Sequence, residues 1–127
     1  FAELNKRPLL KERFAGAIDV VGGDTLSNVI KSIKAGGSVA CCGLVQGATF
    51  EASVLPFILR GVNLLGVDSV EIPLAEKQAA WKQLARCAKL STIDRLNTQV
   101  ALKQVPQALA TLFAGGMSGH TIVKIGR

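Results

Sequence analysis

Two hydrophobic periods alternate along this chain. Ala17 to Val21 is a short apolar run closed by Gly22 and Gly23, which predicts a buried strand of a parallel sheet. Asp24 then stands where an N-cap is expected. Leu26, Val29, Ile30 and Ile33 follow at i, i+3, i+4 and i+7, one helical stripe, with Gly36 and Gly37 as its stop. Ser38 to Cys42 is apolar and small, a second strand that Gly43 ends. Val45 to Gly61 is irregular, with a helical turn predicted over Leu55 to Arg60 and Pro56 in its first turn. Val62 to Val67 predicts a third strand.

From Pro73 the period becomes helical. Trp81, Leu84, Ala85 and Ala88 share one face, while Lys77, Lys82, Arg86 and Lys89 lie largely on the others. Asn97 to Leu102 reads as a strand. Val105 to Ala114 reads as a helix with Val105, Leu109, Leu112 and Phe113 inward, and Thr121 to Ile125 as a last strand. Before all of these, residues 1–15 form a polar, basic lead-in, with a short helix expected near Leu9 to Phe14.

The pattern is α/β: part of a parallel sheet with helices, then a small strand-helix-strand appendage. The composition shifts near residue 90, so residues 1–90 and 91–127 are read as separate portions. A parallel sheet of so few strands leaves edges unpaired. The chain therefore reads as a fragment of a larger protein, in keeping with its opening, which lacks Met.

At 127 residues, 49% hydrophobic and 19% charged, the chain is long enough for one domain and too apolar for global disorder. No apolar run approaches the roughly 18 residues of a membrane span, so no membrane partner is expected. The first residues have no apolar core of a signal peptide. The net charge is +6, but the Lys and Arg are dispersed and aromatic residues make up only 5%. An ordinary solvated surface explains this charge better than a nucleic-acid stripe, so no nucleic acid is expected. Three Cys without regular spacing argue for a reducing compartment, hence the cytoplasm.

In open α/β sheets, ligands sit outside the carboxyl ends of the strands. Three such ends are marked here: Val20-Val21-Gly22-Gly23, Cys42-Gly43-Leu44 and Val67-Asp68-Ser69. A single glycine there usually serves a tight turn, whereas three marked ends on successive strands point to one ligand crevice. The phosphate fingerprint G-x-G-x-x-G does not occur. A dinucleotide site would have its pyrophosphate half upstream. No metal site is expected: Cys41 and Cys42 are adjacent on a strand and should face opposite ways, and His120 is the sole His. Cys42 and Cys87 are expected to be packing residues. Asp19, inside an apolar strand, must be paired, most simply with a neighbouring backbone group. Asp68 either meets a ligand amide or orders its loop. Arg60 and Arg127 could meet a phosphate, although exposed arginines usually do not.

The segments GAIDVVGGDTL, AGGSVACCGLVQG, LPFILRGVNLLGVDSV and GHTIVKIG together resemble the zinc-independent quinone-oxidoreductase branch of the medium-chain dehydrogenase/reductases. The resemblance is strongest to the group that includes acryloyl-CoA reductases. It implies the C-terminal part of a Rossmann domain that binds NADPH, with residues 91–127 returning to a catalytic domain. It also implies that Val21, Gly22, Gly43, Leu44, Val67, Asp68 and Ser69 line the nicotinamide side. In this branch, hydride passes from the cofactor to a quinone or an activated double bond such as that of an enoyl-CoA, and the protein mainly orients the partners. No catalytic residue carries over to this stretch. His120 departs from the resemblance, which has Arg in the closing motif. A homodimer through the edge strand 62–67 is expected. The competing expectation is a non-catalytic dimerisation or interaction domain when the chain is isolated.

Overall fold

The computed structural model describes residues 1–89 and 93–126. They form two compact units that divide after Ile72. Arg127, and the portion boundary expected after residue 90, lie outside the described residues.

In the first unit β1 (Phe14–Asp19), α1 (Gly23–Lys31), β2 (Ile33–Cys41), α2 (Leu55–Arg60) and β3 (Asn63–Gly66) follow in order. The three strands are all parallel, in spatial order β1-β2-β3. Ala17, Val39 and Leu64 are aligned across the sheet, as are Ile18, Ala40 and Leu65. Leu26, Ile30, Ile33, Val39 and Val62 make the core, and Phe14, Ala17, Val29, Cys41 and Phe57 pack against it. The other row is not covered: Ile18 is 80% exposed and Leu65 52%. A parallel sheet normally buries both faces.

Several elements depart from the pattern-based expectation. No helix forms near Leu9 to Phe14. The backbone there is satisfied from outside: Leu10 N donates to Lys31 O at 3.0 Å and Arg13 N to Ser32 O at 2.8 Å. The first strand starts earlier and stops at Asp19, so Val20 and Val21 belong to its turn. Gly22, not Asp24, is the N-cap of α1, and Asp24 sits in the first turn. The helix ends at Lys31 rather than at Gly36. Ser32 closes it, with Oγ donating to Asn28 O at 2.8 Å and N donating to Val29 O at 2.9 Å. Serine competes with helical backbone in this way. Ile33 thus opens β2, although it is fully buried beside Leu26 and Ile30 as the stripe requires. Gly36 and Gly37 lie in an irregularity of β2: the pairing shifts from Phe14↔Ile33 to Gly16↔Ser38, and Gly36 has φ +73°.

Asn28 and Lys31, both buried, tie the lead-in to α1. Asn28 donates to Phe1 O and Glu3 O, and Lys31 Nζ donates to Asn5 O at 2.7 Å. Arg60 does not offer itself to a phosphate. Its guanidinium donates to the carbonyls of Lys31, Ile33 and Leu10 and pairs with Glu12 at 3.2 Å.

The second unit contains α3 (Leu74–Cys87), β4 (Asn97–Ala101), a 3₁₀ turn (Leu102–Gln104), α4 (Val105–Phe113) and β5 (His120–Lys124). β4 and β5 are parallel, which makes a second strand-helix-strand unit. None of its described residues is buried. Trp81, Leu84, Ala85 and Ala88 do share one face, but with Ile93 they line an open apolar groove, and Trp81 is 71% exposed. Cys87 is exposed rather than packed, and Leu109, Leu112 and Phe113 are exposed rather than inward, Phe113 by 85%. The amphipathic spacing therefore marks the apolar face without supplying its cover. Among the described residues, no helix is long and apolar enough to cross a membrane.

Truncating Leu26 in this small core should cost about 2–5 kcal/mol, as Leu→Ala does in buried sites. Lys34→Ala, on an exposed stretch, should stay within about 0.5 kcal/mol. Urea unfolding of the intact protein checks both, and equal midpoints for the two variants would contradict the core assignment.

Candidate functional site

The site is built where the three strands end. Asp19 closes β1, Cys41 closes β2 and Gly66 closes β3, and these residues stand opposite one another in register. The ladder continues past them: Cys42 N donates to Asp19 O at 2.9 Å and Val67 N to Cys41 O at 2.9 Å. Asp19 is 4% exposed and meets the requirement for a partner locally, with Oδ2 accepting the Gly22 N–H at 2.9 Å. This bond pins the turn from β1 into α1. Cys41 Sγ lies 3.8 Å from the same oxygen.

The glycines of the tails let one stretch of backbone pass close to another. A Cβ on Gly43 would sit 2.2 Å from Val20 O, and one on Gly22 would sit 2.4 Å from Gly47 O. Gly22 also has φ +71°, and it bridges Gly47 in parallel. The single-glycine expectation, a tight turn, therefore holds for Gly22. Close backbone approach holds as well, but between chain segments.

Beyond the tails a cleft of about 590 Å³ opens. Gly22, Gly43, Leu44, Val67 and Asp68 line it, which brings together five of the seven residues read from the sequence. Val21 and Ser69 are not on its wall. Val21 is half-buried, its carbonyl accepting Gln46 N at 2.8 Å, and Ser69 is exposed in the following turn. Asp68 orders that turn, with Oδ1 accepting the N–H groups of Val70 and Glu71 at 3.0 Å each. Cys41 and Cys42 also line the cleft, and Cys42 is exposed, not a buried packing residue. Both sulfurs reach Asp19, Cys42 Sγ through the main-chain O at 3.5 Å. Cys42 follows the last residue of β2, so the strand's alternation need not carry on to it.

The loop after β2 carries residues that pattern reading left as irregular. Gly47, Ala48 and Phe50 complete the wall. Gln46 clamps the loop, with Oε1 accepting Thr25 N at 2.9 Å and Nε2 donating to Ala2 O at 2.7 Å. No local signal distinguishes this Gln from a solvated one. His120 opens β5 in the second unit, where its N–H reaches Leu96 O. Among the described residues, no group of three or more His, Cys, Asp or Glu is placed to hold a metal ion.

A parallel sheet with its crevice at the carboxyl tails defines a Rossmann-type α/β unit. No protein-family model matches the chain. Acrylyl-CoA reductase of Ruegeria pomeroyi is 41% identical over 123 residues, covering 97% of this chain and 37% of that protein. A Salmonella enterica oxidoreductase, yhdH, solved in complex with NADP, superposes with a TM-score of 0.78 at 40% identity, over 95% of this chain and 37% of that one. Bacillus subtilis yhfP, solved with NAD bound, superposes with a TM-score of 0.74 at 38% identity, over 94% and 36%. Over nearly its whole length the chain is thus similar to oxidoreductases of the medium-chain dehydrogenase/reductase superfamily. It spans about 37% of the length of the curated relatives it matches.

Gly43→Ala should lower stability by about 1–3 kcal/mol, because the tails of β1 and β2 must part to admit the methyl group. Gly66→Ala, with nothing within 4 Å of the added carbon, is the near-neutral comparison. Thermal unfolding separates the two, and a neutral Gly43→Ala would mean that the tails are not in contact.

Proposed function

We propose that this chain forms the nicotinamide-side wall of the cofactor cleft in an NADPH-dependent oxidoreductase that reduces an activated double bond, as in an enoyl-CoA, or a quinone. The observation that carries the reading is the gathering of Gly22, Gly43, Leu44, Val67 and Asp68 around one cleft at the strand tails. Its volume falls in the range of small-molecule sites. The names of the relatives agree with it: an acrylyl-CoA reductase, and structures holding NADP or NAD.

The fit is to one end of a dinucleotide. The wall is apolar and backbone-rich, suited to a flat ring, and Val21 and Ser69 flank it from the adjoining turns. No glycine-rich phosphate cradle is in the sequence, so the pyrophosphate is held elsewhere in the parent protein. The nicotinamide, when bound, supplies a hydride. The chain's own part is to position the ring and keep water from it, through a turn locked by Asp19 and a loop clamped by Gln46. No residue here is assigned acid-base work and no zinc is invoked.

In this reading residues 1–90 belong to the dinucleotide-binding domain and residues 91–127 return to the catalytic domain. The exposed Ile18 and the open face of Trp81 and Leu84 are surfaces for further parts of the parent protein. The protein works in the cytoplasm as a homodimer. β3 supports the dimer: it is a sheet edge, and Leu64 and Leu65 on it are exposed. The same edge would make the isolated chain an interaction domain without catalysis.

The intact protein should oxidise NADPH on addition of acrylyl-CoA or a quinone, followed by loss of cofactor absorbance. Failure with both acceptors, at a cofactor concentration shown to bind, overturns the activity. The isolated chain should bind NADPH no more tightly than about 1 mM, since the phosphate contacts that dominate such binding are missing. Leu65→Lys should convert dimer to monomer in sedimentation velocity, because a charge on the edge blocks strand pairing. An unchanged dimer would place the interface elsewhere.

A further inference from the structure

We propose that Cys42 is a site of covalent addition for α,β-unsaturated thioesters and carbonyl compounds, and that a dinucleotide in the same cleft shields it. The proposal rests on the function proposed above for the class of acceptor and for its shielding half. Two thiols stand on the wall of one cleft of about 590 Å³, both within reach of Asp19. They differ in availability. Cys41 is half-buried, with its sulfur turned to the Asp19 carboxylate, whereas Cys42 is exposed. Neither is in a disulfide. Cys87, exposed on α3 in the second unit, serves as the reference thiol.

The chemistry needs no further reactant. The Cys42 sulfur bonds to the β-carbon of the acceptor, the carbon–carbon π bond breaks, and the thiol proton ends on the α-carbon. Nothing is oxidised or reduced. An acceptor held in the cleft meets this thiol at a high local concentration. A protein that handles such acceptors therefore carries a nucleophile exposed to its own substrate whenever the cleft lacks its cofactor.

The test treats the intact protein with acrylamide and follows adducts by peptide mass spectrometry, using fragment ions to separate Cys41 from Cys42. Cys42 and Cys87 should both gain the adduct, Cys41 should lag, and Cys41→Ala should keep the Cys42 adduct. With NADPH at about ten times its Kd, only about a tenth of the clefts stay open, so alkylation of Cys42 should slow about tenfold while Cys87 is unchanged. An unreacted Cys42 beside a reacted Cys87 overturns the proposal. So does an unchanged Cys42 rate while cofactor fluorescence reports bound NADPH. Absence of any NADPH binding removes the cofactor reading and the shielding with it, while the nucleotide-free reaction still decides the site of addition.

Discussion

A carboxylate buried at the end of β1 holds the strand tails in place. Among the described residues no cation is paired with Asp19, and the N–H of Gly22 is the backbone donor the turn provides to its carboxylate. That bond fixes where β1 gives way to α1. The Asp19 carbonyl receives Cys42 N, which extends β2 beside it, and Cys41 O receives Val67 N, which aligns β3. The floor of the cleft is thus a chain of backbone bonds running outward from one buried acid. The close approach of Gly43 to Val20 belongs to the same arrangement, since any side chain at that position would push the two tails apart.

The two units are unequal in what they bury. The first has a small core between sheet and helices, reinforced by the ties of Asn28, Lys31 and Arg60 to the lead-in. The second has well-formed helices and a parallel strand pair, yet no buried described residue. Burial of apolar surface is the main favourable term in folding. A unit with Trp81 and Phe113 so open gains little from it by itself. This imbalance agrees with a chain that spans about 37% of its relatives' length.

Strands and helices were largely legible because each leaves a periodic trace. β3, α2, α3, β4, α4 and β5 fall within a residue or two of the pattern, and the order of βαβ elements implied the parallel sheet. The errors share a cause. Ile33 was read as helical because its spacing from Leu26 and Ile30 suits a helix, and it does enter the same core, but from a strand. Periodicity reports which residues face inward, not which backbone carries them. The lead-in and the Arg60 anchor depend on carbonyls distant in sequence, so local pattern held no sign of them. Within the site, the three marked tails did converge, but Gln46 and Gly47 stayed invisible because a loop has no period.

The amino-acid sequence by itself determined the alternation of elements, the apolar face of each helix, the three marked strand ends and the family resemblance, all of which are local or linear properties. Only the tertiary structure decided that Gly22 and Gly43 serve contact between backbones, that Asp68 orders its own turn, and that Cys42 faces the cleft. Each of these depends on what a residue meets across space. Such contacts are set by the sheet's register and the path of its loops, which the spacing of residues along the chain does not encode.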